Sequence, residues 1–315
     1  MTSRREIVGN QFNSFISILQ KNKKILWLLI IIITLLWGYA WVLMKASLEY
    51  MGPFTFSSFR FGVGSVTLLL VVWLLKIGLP AKKHWKHLII VGFLQTTVVF
   101  LLVMYGLRFV DAGKSSVLLY SMPLWSTILA TKYLGEKITP AKLSGLLIGM
   151  VGLLAILGWD IWKEPNIKMI FGEFLIIISS VSWAVANVYY RIKLQSLPKL
   201  QVNAYQMFFG TIGIVIATLF MEWGKPIALN VHSIYYILFT GILASALCFT
   251  VWFLILSLID MATATISTLL VPMFGLLFSS LILGEKMSIG VITGSILIIV
   301  GIVVAQLPKN KPRHR

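Results

Sequence analysis

Long apolar runs alternate with short polar joints from about residue 25 to residue 307. A membrane-spanning helix needs ~20 consecutive mostly apolar residues, because each residue advances the axis by only ~1.5 Å. Read by length and flanks, the pattern predicts helical spans over 25–44, 54–75, 87–107, 113–131, 141–159, 171–190, 201–221, 234–257, 261–282 and 289–307. The joints between them leave little room for a soluble domain. Residues 1–24 differ: Ile7, Val8, Phe12, Phe15, Ile16 and Leu19 recur at helical spacing beside Arg4, Arg5, Lys21, Lys23 and Lys24. That pattern predicts a short amphipathic helix lying on the membrane surface. It fits a cleavable signal peptide less well, because the first apolar run is long and no small-residue cleavage site follows.

Composition agrees with a lipid-facing chain. Of 315 residues, 58% are hydrophobic and 12% charged, with mean hydropathy +0.92. A soluble domain carries ~25% charged residues, so this chain could not cover a water-facing surface. The formal charge of +17, from 27 Lys and Arg against 10 Asp and Glu, orients the bundle. With the N-terminus in the cytoplasm, 19 basic residues fall in cytoplasmic segments and 7 on the opposite side, among them Lys45, Lys114 and Lys286. Arg60 lies inside the second span. The bias follows the positive-inside rule and predicts a multi-pass protein of the plasma (inner) membrane with both termini cytoplasmic. The basic residues form no aromatic-interleaved stripe, and no nucleic-acid partner is expected. The single cysteine, Cys248, excludes an internal disulfide and reads as a small buried hydrophobe.

The chain repeats itself. Leu134-Gly135-Glu136-Lys137 recurs as Leu283-Gly284-Glu285-Lys286, an offset of 149 that also pairs Pro123 with Pro272, Asp111 with Asp260, Gly145 with Gly294 and Gly152 with Gly301. Around Trp37 and Trp183 the offset is 146. Each half then holds five spans, and an odd number inserts the second copy upside down. The expected fold is all-α and integral to the membrane, with ten transmembrane helices in two inverted five-helix repeats around a central cavity. Its expected parts are a cytoplasmic amphipathic segment over 1–24, a first repeat over 25–160, a second, inverted repeat over 161–307, and a basic tail over 308–315. Inverted repeats recur in secondary transporters, where two related halves rock about a site.

These residues resemble the EamA-type branch of the drug/metabolite transporter superfamily. The resemblance rests on Trp37-Gly38 and Lys45, Pro53 with Arg60-Phe61, Ser115-Ser116 leading to Pro123, and Leu-Gly-Glu-Lys before the glycines of span 5. In the second half it rests on Gly172-Glu173, Trp183-Ala184, Pro272 and the second Leu-Gly-Glu-Lys. It implies ten helices in two inverted units and alternating access, and it leaves the substrate open. One departure is that Arg60 has no charged counterpart; Gln206 or Phe208 falls there, depending on the gap.

Several residues are candidates for the site. Pro123 and Pro272 interrupt spans 4 and 9 and are read as hinges, since proline removes a ladder hydrogen bond and clashes one turn back. Arg60 either faces the cavity or snorkels to the interface, because a cation in hydrocarbon is costly. Trp37, Trp41, Gln95, Tyr120, Trp183, Asn187, Trp252 and Thr268 are the candidate lining: aromatic faces with a few hydrogen-bonding groups suit an amphipathic organic solute. Lys45 and Arg191 read as interface anchors. No Asp, Glu or His falls in the central third of a span, so coupling to an ion would have to run through an end-of-span group such as Glu173. His84 and His87 lie on a basic stretch without acidic partners and read as a solvated loop, not a metal pair. No nucleophile–base pair or phosphate loop is present, so no enzymatic activity, cofactor or metal is expected. The expected partners are a small-molecule substrate and the lipid bilayer; the oligomeric state is open. The expected function is secondary transport of a small organic metabolite, an amino acid or related amphipathic solute, in either direction including export. The alternative is a non-transporting membrane scaffold or a membrane-embedded transferase.

Overall fold

A computed structural model describes residues 23–135, 139–163, 166–258, 268 and 270–305. The amphipathic segment, apart from Lys23 and Lys24, lies outside the described residues, as do Glu136, Lys137, Asp260, Thr265 and the basic tail. The described chain is helical and holds no strand. Its helices are α1 (Lys23–Ala46), α2 (Pro53–Leu74), α3 (Lys82–Gly106), α4 (Ala112–Leu119), α5 (Met122–Leu134), α6 (Pro140–Lys163), α7 (Ile167–Lys193) and α8 (Lys199–Met221). They continue with α9, which runs through Val231–Leu238, Phe239–Leu247 and Cys248–Leu258, then α10 (Leu270–Leu283) and α11 (Ile289–Ala305). Helix is the expected form for apolar chain in lipid, since it satisfies every backbone group within the segment.

Among the described residues, six stretches are long and apolar enough to cross a membrane: Lys24–Glu49, Pro53–Leu74, Lys82–Gly106, Ile167–Lys193, Lys199–Met221 and Val231–Trp252. Shorter apolar stretches lie in α6, α10 and α11. The chain is therefore a multi-pass membrane protein. The span expected over 113–131 is not one helix. It ends at Leu119, turns through Tyr120 and Ser121, and restarts with Pro123 in the first turn of α5. Proline tolerates that first turn, where its missing N–H has no partner in any case. The repeated Leu-Gly-Glu-Lys has a local cause. Gly135 and Gly284 have φ of +66° and +67°, the left-handed conformation that ends a helix and that glycine adopts without a Cβ penalty.

Packing pairs the helices in a pattern that returns to itself when the halves are exchanged. The pairs that map onto themselves are α6 with α11, α2 with α8, and α4 with α10. The contact of α1 with α10 is matched by that of α7 with α4 and α5, and the contact of α3 with α7 by that of α9 with α1. Likewise α3 meets α8 as α9 meets α2. The α6–α11 pair is seamed by glycine, as the spacing implies. A Cβ on Gly152 would stand 2.7 Å from the Gly294 carbonyl oxygen, and one on Gly301 would stand 2.5 Å from that of Gly145. Small residues let backbones approach where lipid supplies no hydrophobic drive for association.

Candidate functional site

The middle of α3 and α9 departs from α-helix in the same way. Phe93–Val98 and Phe239–Leu247 are π-helical, and Phe93 and Phe239 are related by the 146-residue offset. A π turn carries an extra residue, loosens the hydrogen-bond ladder and recurs at functional sites. Neighbouring side chains hold both segments. On α9, the Trp37 indole Nε1–H donates to the Ala244 carbonyl at 2.8 Å, and Arg60 Nε–H donates to Ser245 Oγ at 3.1 Å. Ser245 Oγ–H in turn donates to the Thr240 carbonyl at 2.8 Å. On α3, Ser182 Oγ–H donates to the Leu94 carbonyl at 2.9 Å, Thr96 Oγ1–H to Gln206 Oε1 at 2.9 Å, and Thr97 Oγ1–H to the Gly210 carbonyl at 2.7 Å.

These contacts decide the counterpart of Arg60. Gln206 is buried and bonded to the α3 segment as Arg60 is to the α9 segment, whereas Phe208 is exposed. One half therefore carries a cation where the other carries a neutral amide. Arg60 does not snorkel: it is 4% exposed inside the bundle. Its guanidinium carbon lies 4.9 Å from the ring centres of both Phe61 and Phe100, and Nη1 reaches Met44 Sδ at 2.8 Å. No acidic side chain pairs with it among the described residues.

The other candidates form two aromatic groups. Trp37 packs against Trp252 and Phe249, with ring centres 6.0 and 5.4 Å away. Tyr120, at the break between α4 and α5, stands edge-on to Trp183 at 6.4 Å, and Asn187 Nδ2–H reaches Met122 Sδ at 3.3 Å. Trp41 is buried in the main core and lies beside Gly275 of α10. Gln95 is half-buried within the α3 π segment, Thr268 is half-buried, and Pro272 is buried near the start of α10.

Three features were not legible from sequence. Lys114, read as a joint residue, sits in the first turn of α4, buried and ion-paired to an equally buried Glu173 of α7. Its charge thus belongs to the helix interface and not to the loop tally. The signal available was an opposite pair of charges at the edges of spans 4 and 6. Lys45, read as an interface anchor, donates from Nζ to the carbonyls of Leu107 at 2.6 Å and Val110 at 2.8 Å, where α3 ends. Glu285 accepts from the N–H groups of Ala112 at 2.9 Å and Gly113 at 3.2 Å, at the start of α4. Lys45, Glu285, Glu49, Arg108 and Asp111 line a cavity of about 490 Å³ at this end of the bundle. Helix ends supply such placements: cations suit C-terminal carbonyls and carboxylates suit N-terminal N–H groups.

Comparison with known proteins agrees with this architecture. A family model described as the EamA-like transporter family matches residues 24–158 and again 170–306. An uncharacterized transporter, YoaV, of Bacillus subtilis (strain 168) is 32% identical over 274 residues, covering 87% of this chain and 94% of its own. A probable amino-acid metabolite efflux pump of Salmonella typhimurium is 22% identical, covering 88% and 93%. A crystal structure at 18% identity superposes with a TM-score of 0.65 over 89% of this chain and 95% of that one, a likeness that bears on fold alone. With both halves matched by one family model and a relative of this similarity along nearly its whole length, the chain belongs to the EamA-like transporter family.

Proposed function

We propose that the protein is a secondary transporter that moves a small organic metabolite, an amino acid or related amphipathic solute, across the plasma membrane by alternating access. In this reading ten transmembrane helices form two inverted repeats, 25–160 and 161–307, around a central cavity, with both termini in the cytoplasm. The observation that carries it is the matched irregularity of the two halves. Helices α3 and α9 carry π segments at equivalent positions, and each is held by side chains of the opposite half. Irregular backbone at membrane depth is tolerated where it is buried in protein or lines a cavity. Matched interruptions in two repeats are the pattern that surrounds transporter sites. The exchange symmetry of the helix pairs supports two rocking units, since each contact in one state has a counterpart to close in the other.

Trp37, Trp41, Arg60, Gln95, Tyr120, Trp183, Asn187, Trp252 and Thr268 are the proposed lining, and Pro123 and Pro272 the hinges. The name of the Salmonella relative supports amino-acid-like metabolites and the export direction. The test is solute flux in proteoliposomes across a panel of amino acids and other amphipathic metabolites. Saturable flux of at least one solute, reduced in Trp37→Ala and Tyr120→Ala, is expected. Folded protein that moves no solute on the panel sinks the reading.

A further inference from the structure

A guanidinium buried in a membrane bundle needs an anion. Desolvating an unpaired charge costs several kcal/mol, and the protein supplies Arg60 with no carboxylate among the described residues. Its surroundings only partly satisfy it. Nε–H is taken by Ser245, one N–H of Nη1 meets the soft thioether of Met44, and Phe61 and Phe100 lie close enough for cation–π contact. Nη2 has no acceptor among the described residues.

We propose that Arg60 is the docking point for the carboxylate of a monoanionic substrate whose remaining body is apolar. This rests on the transporter reading and narrows its cargo from amino acids and related amphipathic solutes to those related solutes that carry a carboxylate and no ammonium. The charge count selects a monoanion. Arg60 contributes a single positive charge, and its counterpart in the other half is the neutral Gln206. A dianionic phosphate would leave an uncompensated charge at membrane depth. A zwitterion would bring an ammonium for which no acidic group pairs at Arg60 among the described residues. Planar carboxylate matches the forked N–H donors of guanidinium, while the adjoining Phe61 and Phe100 rings, 4.4 Å apart beside it, suit an aliphatic or aromatic body. The Ser245 contact ties the docked cation to the α9 π segment, so binding acts on an irregular backbone stretch.

The experiment measures binding and flux separately. Purified full-length protein is titrated with phenylacetate, with its neutral isostere phenylacetamide and with the dianion phenyl phosphate, followed by tryptophan fluorescence. Wild type is expected to bind phenylacetate roughly tenfold or more tightly than phenylacetamide, the scale of one charge-assisted hydrogen bond. Arg60→Gln is expected to remove that preference and Arg60→Lys to retain part of it. Equal binding of the acid and the amide by wild type overturns the proposal, as does preference for the dianion or an unchanged preference in folded Arg60→Gln. If Arg60→Gln fails to fold, the wild-type comparison of acid with amide decides alone. Flux of neutral solutes without carboxylate binding leaves the carrier intact and removes this site. Carboxylate binding with no flux of any solute keeps the site and removes the carrier.

Discussion

Glu285 caps α4 from the other half of the chain: its Oε1 accepts the Ala112 N–H at 2.9 Å, and Oε2 accepts that of Gly113 at 3.2 Å. The glycine before it ends α10 in the left-handed conformation and turns the chain toward that helix start. The second Leu-Gly-Glu-Lys is thus a turn and a cap combined, and it fastens α10 to α4 beside the end cavity.

Removing the carboxylate should loosen that end. Glu285→Ala is expected to cost about 1–2 kcal/mol, the range for a lost N-terminal cap, and Glu285→Gln less. In an Ala46→Cys background, whose position lines the cavity, Glu285→Ala should raise the rate of alkylation by a water-soluble maleimide. An unchanged alkylation rate would show that the cap does not hold this end closed.

The buried Lys114–Glu173 pair makes a different prediction. Removing one member of a buried pair strands a charge and costs about 3–5 kcal/mol, whereas replacing both with apolar groups is often close to neutral. Glu173→Leu alone should therefore lower thermal stability in detergent far more than Lys114→Met with Glu173→Leu together. Additive losses in that cycle would mean that the two charges do not depend on each other.

Glycine substitutions separate packing from helix propensity. On Gly152 a Cβ would meet the Gly294 carbonyl at 2.7 Å and Ile298 N at 2.8 Å, both rigid backbone. On Gly62 it would meet nothing within 4 Å. Gly152→Ala should cost about 1–3 kcal/mol through overpacking, while Gly62→Ala should be neutral or gain up to about 1 kcal/mol from propensity. Thermal unfolding of the two variants in one detergent checks the order; equal shifts would mean that the α6–α11 seam yields to the extra carbon.

Hydropathy made most of the helices legible because lipid forces apolar chain into helix, so one local rule decides each span. The repeat was legible for the same reason: duplicated turns and caps keep their residues, as Gly135 and Gly284 do. The π segments were not: Gln95, Thr96 and Thr97, like Thr240 and Ser245, mark these stretches as locally polar, but polarity does not tell a π turn from an α-helix with buried hydrogen-bonding side chains. Nor was the burial of Lys114, since a lysine three residues into a helix reads alike whether it meets water or Glu173 of a distant span. Arg60 stood out as a charge within an apolar run, but only its neighbours in space decide between snorkelling and burial.

The α9 π segment depends on an indole from α1. Trp37 Nε1–H is the donor to the Ala244 carbonyl, and Trp37→Phe keeps an aromatic ring against Phe249 and Trp252 while deleting that donor. Leaving a carbonyl unpartnered inside the bundle costs about 1–3 kcal/mol. A loosened ladder should show as faster amide hydrogen exchange within 239–247, with little change in the α3 segment, which Ser182 and Gln206 hold instead. Ser182→Ala should do the reverse, because the Leu94 carbonyl then loses its donor. Since each segment is anchored by the other half, both variants should also lower the turnover of any solute carried. Exchange that rises equally in both segments would point to general destabilisation, and exchange that rises in neither would show that these donors do not hold the π turns in place.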